Sequence, residues 1–232
     1  SRMFEFVFKM FEDGYAAVPK DGIEEIPKQI FNSLKMSKFI FNSKALSVDG
    51  KQITLDDERV LQSDYSIIAN EGVKLINDVN EHSWKSCDTL YFSTKDCVST
   101  REIIGLVADK GSLINNIYCQ NAHDPFLSES HNLLSVTVVD NKGLSEVELI
   151  EEVIKEMKDY CGIENLAFLK NYRINKALPN ISNIQYNRES VRSSFDRKVY
   201  FAGDQQLNPS LNAAILSGEA AAMAVINELN IK

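Results

Sequence analysis

A strand that ends in Gly-Asp and resumes a few residues later as a long helix constrains this chain more than any other feature. Val199-Tyr200-Phe201-Ala202 follows Lys198 and stops at Gly203-Asp204. A short apolar run bounded by a turn residue reads as a buried strand. Gly203 lets the chain turn tightly and lets another group come close to the backbone. Asp204 puts a carboxylate at the strand's end, able to accept hydrogen bonds from sugar-like hydroxyls. Beyond Ser210 the apolar positions fall at Leu211, Ala214, Ile215, Gly218, Ala221, Ala222, Val225, Ile226 and Leu229, the spacing of one helix face. Asn208-Pro209-Ser210 supplies a cap and a first-turn proline. The start of such a helix carries unpaired N–H groups and partial positive charge, which suit an electron-rich oxygen or a phosphate. Gly218 permits close packing of the helix on a sheet. The same arrangement also serves as a plain strand-to-helix corner.

Two more helices are legible. Ser145-Glu146-Val147-Glu148 is a capping-box pattern. It opens a helix to about Tyr160 with a stripe of Val147, Ile150, Val153, Ile154 and Met157, stopped by Gly162. Another follows Gly22, with Ile23, Ile26, Ile30 and Leu34 on one face and Pro27 near its first turn. Strand-like runs occupy 39–41, 51–55, 65–69, 89–92, 103–107, 133–139 and 199–202, and Asp49-Gly50 marks a hairpin turn. Most of these strands succeed one another without a helix between them. The expected class is therefore α+β, with a mixed, largely antiparallel sheet of about six strands and helices on one face.

Composition closes several doors. The net charge is −8 and no basic block stands out, whereas phosphate-backbone binding needs a basic footprint. Neither nucleic acid nor an anionic membrane surface is expected as a partner. No apolar run reaches the roughly 18 residues of a membrane span. Cys87, Cys97, Cys119 and Cys161 form no Cys-x-x-Cys pair, and His82, His123 and His131 are not at zinc-ligand spacing with them. Four reduced thiols and a cytoplasmic location are the expectation, with no metal site. Asp56-Asp57-Glu58 lacks the glycine and spacing of a calcium loop and reads as a solvated turn. Lys85 reads as a surface lysine, Trp84 as core or interface, His123-Asp124-Pro125 as a turn and His131 as a residue before a strand. Phe4, Phe6, Phe8 and Phe11 read as an alternating strand or a helix-packing face. No nucleophile, base or carboxylate pair can be argued from spacing, so no catalytic residue is named.

The run from Val199 to Asp204, followed by Pro209-Ser210-Leu211-Asn212-Ala213-Ala214-Ile215-Leu216-Ser217-Gly218-Glu219-Ala220-Ala221, resembles the carboxy-terminal flavin motif of the FAD-dependent superfamily that includes amine oxidases, protoporphyrinogen oxidases and phytoene desaturases. Weaker likenesses extend it. Gly14 to Pro27 is similar to the segment that opens the family's substrate domain. Asp49 to Asn70 resembles its strand pair ending in alanine after two aliphatic residues. Lys176-Ala177-Leu178-Pro179, with Tyr186, resembles a segment upstream of the flavin motif.

The resemblance implies a substrate-binding domain over 1–194 and a flavin-contacting strand and helix over 195–232. By position, Gly203 and Asp204 would serve the ribityl-phosphate part of FAD. Backbone groups at Ser210, Leu211 and Asn212 would serve the flavin edge. Ala213 stands where many relatives have glycine, and its methyl would crowd or shift the flavin. The implied activity is oxidation of a small organic substrate by hydride transfer to flavin, the cofactor doing the chemistry. Amine, polyene, porphyrinogen and steroid-like substrates all fall within it. One departure is large: no G-x-G-x-x-G occurs, and in the family that loop holds the ADP pyrophosphate. The expectation is an excised piece lacking the nucleotide half and inactive by itself. Its last helix would then dock elsewhere, swap, or pair two copies as a homodimer. The other reading is a non-catalytic binding or interaction domain that keeps the fold without FAD.

Overall fold

Alternation of burial from Asp88 to Thr94, within the strand Trp84–Thr94 (β5), builds the largest layer among the described residues. Asp88, Leu90, Phe92 and Thr94 point inward, while Thr89, Tyr91 and Ser93 lie half-exposed on the other face. This is the two-residue period of a strand covered on one side only. The computed structural model describes residue 8 and residues 17–70, 75–76, 83–96, 104–120, 131–182, 184–186, 191–192 and 198–230. The readings for Phe4, Phe6, Phe11, Gly14 to Ala16, His82, Cys97, Ile103 and His123 lie outside these residues.

Five strands form the large sheet, in the order Gly105–Leu106 (β6), Ile114–Cys119 (β7), Asn132–Val138 (β8), β5 and Leu166–Pro179 (β9). Every pair in it is antiparallel. One face is covered by the helix Glu146–Cys161, α2. Leu149, Val153 and Met157 of α2 meet Leu90, Phe92, Ile114, Leu134, Val136 and Val138 of the sheet, all essentially inaccessible to solvent. Burying such side chains contributes roughly 1.5–3 kcal/mol each. The capping box is formed as the sequence suggests: Ser145 Oγ accepts from Glu148 N–H, and the Glu148 carboxylate accepts from Ser145 N–H. Gly162 ends α2 in the left-handed conformation. The buried stripe differs from the expected one. Leu149 is inside and Val147 is exposed, because the stripe centres on positions 149, 153 and 157. Asp96, just past β5, ties the α2–β9 connection down by accepting from the backbone N–H of Glu164 and Asn165 and from the Asn165 amide. Asp88, deep in β5, is ion-paired with Arg173 of β9.

Two three-stranded sheets complete the architecture of the described residues. Ala45–Val48 (β1), Gln52–Leu55 (β2) and Val60–Gln62 (β3) form an antiparallel meander. Its first turn is the expected Asp49-Gly50, with Gly50 at φ 84° and Asp49 Oδ1 accepting from the N–H groups of Lys51 and Gln52. Asp56-Asp57-Glu58 is the second turn, where Asp57 pairs with Arg59 and Asp56 accepts from the Lys44 backbone. In the other small sheet Val199–Phe201 (β11) lies between Val191–Arg192 (β10), antiparallel, and Ser66–Ile68 (β4), parallel. This sheet spans the expected boundary after residue 194. The expected single mixed sheet is therefore corrected to three sheets among the described residues: the large one is wholly antiparallel, and the described parallel pairing is confined to β4 and β11. The classification as α+β with mostly antiparallel sheets holds.

The helix Glu25–Ser33 (α1) contains Pro27 in its first turn and buries none of its residues. Phe39–Phe41, expected as a strand, is not one. Phe31, Phe39 and Phe41 instead form an exposed aromatic cluster, with ring centroids 4.3 to 6.1 Å apart. The helix Leu211–Asn230 (α3) follows β11 and packs on it.

Candidate functional site

The loop between β11 and α3 is held by buried polar side chains. Gly203 sits at φ 129°, a conformation that L residues rarely adopt. A β-carbon there would come within 2.2 Å of Gln205 Oε1. Gln205 lies over the glycine and donates to the carbonyls of Ala202 (3.2 Å) and Asn70 (3.3 Å). It thereby ties the ends of the parallel strands β4 and β11 together, the end of an open parallel sheet where ligands commonly bind. On the other side Ser217 of α3 accepts from Gly203 N–H at 2.8 Å and lies 3.0 Å from Gly203 O as donor. Asn208 donates to Gln185 O at 2.8 Å and accepts from Ser210 Oγ at 2.6 Å. Gln205, Asn208 and Ser217 are all buried.

Asp204 opens a single 3-10 turn, Asp204–Gln206. Partial burial raises its pKa above the ordinary carboxylate value, and the Gln205 backbone N–H acts in the opposite direction. Ser210 is the cap of α3, its Oγ accepting from Ala213 N–H at 3.1 Å. Ala214 N–H bonds to Ser210 O at 3.1 Å. The N–H groups of Leu211 and Asn212 precede the first helical acceptor, so the helix itself leaves them without partners. Both residues are exposed. Gly203, Asp204, Ser210, Leu211 and Asn212 thus lie along one strand-to-helix connection. A carboxylate with a raised pKa and a capped helix start together can accept from hydroxyls and donate to an electron-rich oxygen. That donor set suits a ligand carrying both hydroxyls and an electron-rich oxygen.

Three expectations about this segment are corrected. Pro209 lies one position outside the cap rather than in the first turn, because Ser210 does the capping. Gly218 does not mediate close packing, since a β-carbon there would meet nothing within 4 Å. The close approach is made by Ala213, Ser217 and Ala221, which are buried while Leu211, Ile215, Ile226 and Leu229 are about half exposed. The Ala213 methyl is consequently turned into the protein. Sequence reasoning missed Gln205 and Ser217 and read Asn208 only as part of the helix cap, not as a tether to Gln185. The available signal was their position between an apolar strand and an apolar helix, where a polar side chain is either solvated or a tether.

The remaining candidates lie elsewhere. Lys85 is exposed on β5, Trp84 is half-buried with the Lys176 ammonium 5.8 Å from its ring centroid, and His131 immediately precedes β8. Cys119 is buried in the large sheet and Cys161 ends α2. Among the described residues no group of His, Cys, Asp and Glu is arranged to hold a metal ion, and no helix is long and apolar enough to cross a membrane.

No family model matches the sequence, and no curated protein does. Solved structures do. A protein from Exiguobacterium sp. 255-15 provisionally assigned as a protoporphyrinogen oxidase aligns with a TM-score of 0.64 and 17% identity, over 91% of this chain and 52% of its own. Reduced UDP-galactopyranose mutase aligns with a TM-score of 0.57 and 18% identity, over 68% of this chain and 40% of its own. Wild-type putrescine oxidase bound to putrescine aligns with a TM-score of 0.59 and 12% identity, over 89% of this chain and 53% of its own. The chain therefore has a fold found within these three proteins and spans 40% to 53% of their length.

Proposed function

We propose that this chain is the substrate-binding domain plus the flavin-edge segment of an FAD-dependent oxidoreductase acting on a small organic substrate. The observation that carries the reading is the connection from Gly203 to Asn212, a half-buried carboxylate and a capped helix start, within a fold shared with a provisionally assigned protoporphyrinogen oxidase and with putrescine oxidase. When bound, FAD would accept a hydride from the substrate. The protein's part is positioning. Asp204 would accept from ribityl hydroxyls and Ser210 would keep the helix start ordered. The N–H groups of Leu211 and Asn212 would stabilise negative charge at the flavin edge. On this reading the protein works in the cytoplasm on a small molecule rather than on nucleic acid.

One observation favours a second reading, a non-catalytic domain that keeps the fold. Gln205 fills the space over Gly203, so the chain's own packing already accounts for that glycine. FAD titration separates the two, followed by flavin absorbance and fluorescence, on this chain and on a version extended upstream. Binding by the extended protein, weakened about tenfold or more by Asp204→Ala as expected for a lost hydrogen bond to a charged group, supports the oxidoreductase. An extended protein that ignores FAD leaves the binding-domain reading.

A further inference from the structure

The large sheet and the helix that covers it carry opposite charge. Asp88 is the one carboxylate on the strands β5 to β9, against Lys85, Lys170, Arg173 and Lys176. α2 has the reverse balance, with Glu146, Glu151, Glu152 and Asp159 exposed beside Lys155 and Lys158. Asp88 is ion-paired with Arg173, and Arg173 also donates to Ser86 Oγ. Ser86 and Asp88 therefore share the α2 side, and alternation puts Lys85, Thr89 and Tyr91 on the other. Within a chain of net charge −8, the strands thus present ammonium groups and no carboxylate on that open face. Its side chains fall into cross-strand rows. Tyr118, Ser135, Tyr91 and Lys170 are in register across β7, β8, β5 and β9. Thr137, Thr89 and Tyr172 form the next row. The buried cluster of this sheet lies on the α2 side. The Tyr91 and Tyr172 rings meet edge to face with centroids 5.8 Å apart, and the Lys170 ammonium is 5.4 Å from the Tyr172 centroid. Among the described residues no carboxylate pairs with Lys170.

We infer that this face binds a small organic acid, a carboxylate carried on a flat unsaturated ring. The carboxylate sits at Lys170, whose ammonium is a compact charge with three donors. The ring lies against Tyr91 and Tyr172, which offer flat contact area with a polar tip. The hydroxyls of Thr89, Ser135 and Thr137 in the two rows can turn to donate to the acid's oxygens. Charge complementarity selects this occupant. An amine cation would meet Lys170 with like charge and find no carboxylate on the strands of that face. Resting on the oxidoreductase reading above, this acid is the substrate, so the substrate class is an anion rather than an amine.

The test is titration calorimetry of this chain, and of the version extended upstream, with three probes of one ring and different charge: 2-naphthoate, 2-naphthamide and 2-naphthylmethylammonium. The expected order has naphthoate tightest, its binding weakening as salt is added. Lys170→Met should weaken naphthoate about fivefold or more and leave naphthamide unchanged, and Lys170→Arg should restore naphthoate. Tyr172→Leu should weaken both. Lys170 and Tyr172 are exposed, so the circular dichroism of these variants should match that of the parent. The ammonium binding as tightly as the carboxylate, naphthoate indifferent to Lys170→Met, or no naphthoate binding by either protein overturns the assignment. So does a dimer in sedimentation that Lys170→Glu dissolves, which would put a second copy of this chain on the face. None of these measurements needs FAD. Naphthoate selectivity in a protein whose extended version ignores FAD sinks the oxidoreductase reading alone, and FAD binding without naphthoate selectivity sinks the acid site alone.

Discussion

The five-stranded sheet with α2 and the β10-β11-β4 sheet with α3 solve the same problem to different degrees. In the first, Leu90 and Phe92 of β5 and Leu134, Val136 and Val138 of β8 share one buried cluster with Leu149, Val153 and Met157 of α2, and the helix ends are capped from within. In the second, β11 is fully buried but its neighbour β4 and the flank of α3 are not. The first region holds itself together with large apolar side chains. The second holds a loop in place with Gln205, Asn208 and Ser217, and leaves apolar surface uncovered beside it. A chain that invests polar tethers in one loop while leaving its surroundings open is organised around that loop.

The contrast can be broken. Phe92→Ala in the first region should cost about 3–5 kcal/mol, since Phe92 is fully buried against the sheet and Phe168; urea unfolding measures it. A loss near zero would mean that the large sheet is not the stabilising unit. Gly203→Ala in the second region should cost about 1–3 kcal/mol through its φ, with the clash against Gln205 added. Adding Gln205→Ala should recover the clash and leave the backbone part. Full recovery would show that the conformation at 203 is not strained for alanine.

A pH titration sharpens the comparison further. The Asn165 amide and the N–H groups of Asn165 and Glu164 hold Asp96 below the usual carboxylate range. Its folded pKa is thus below its unfolded one. The contribution is fully present above the unfolded value, about 3.9, and disappears as pH falls through the folded value. Asp96→Asn should flatten that acid limb. By contrast Asp204, with its pKa raised by burial, acts in the opposite sense, favouring the folded state below the unfolded value and losing that effect as pH rises. The smallest effect is expected at Leu229→Ala, within about 0.5 kcal/mol for the chain by itself, because Leu229 is 52% exposed. A larger loss in thermal unfolding would show that α3 is covered by this same chain in solution.

Helix boundaries, the Asp49-Gly50 hairpin and the antiparallel bias were legible because capping residues, turn residues and unbroken strand succession act locally. β9 was not legible. Leu166–Pro179 is an edge strand exposed along most of its length, so no apolar alternation marks it. Phe39–Phe41 failed in the opposite way, having strand-like side chains but no described partner strand. At α3 the apolar period was right about the helix and only partly right about its inside, where Ala221 is buried and Val225 packs against it while Leu211, Ile215, Ile226 and Leu229 are about half exposed. A helix whose serine hydroxyl lies 2.8 Å from a backbone nitrogen sits too close for leucine, so Ala213, Ser217 and Ala221 face in. The site was legible as a connection, from Gly203 to Asn212. Its tethers were not, because a polar residue shows its partner only after the chain has folded.

The Ser217 hydroxyl has one further consequence. It engages both the nitrogen and the oxygen of Gly203 across fourteen positions of chain, and also lies 2.9 Å from Ala214 O. Sliding α3 by a single residue means a rise of about 1.5 Å and a rotation of about 100°, which would carry the hydroxyl away from both groups. Loop and helix are keyed together like a pin in a slot. Any displacement of the helix is felt at Gly203, and any strain at Gly203 resists the helix turning.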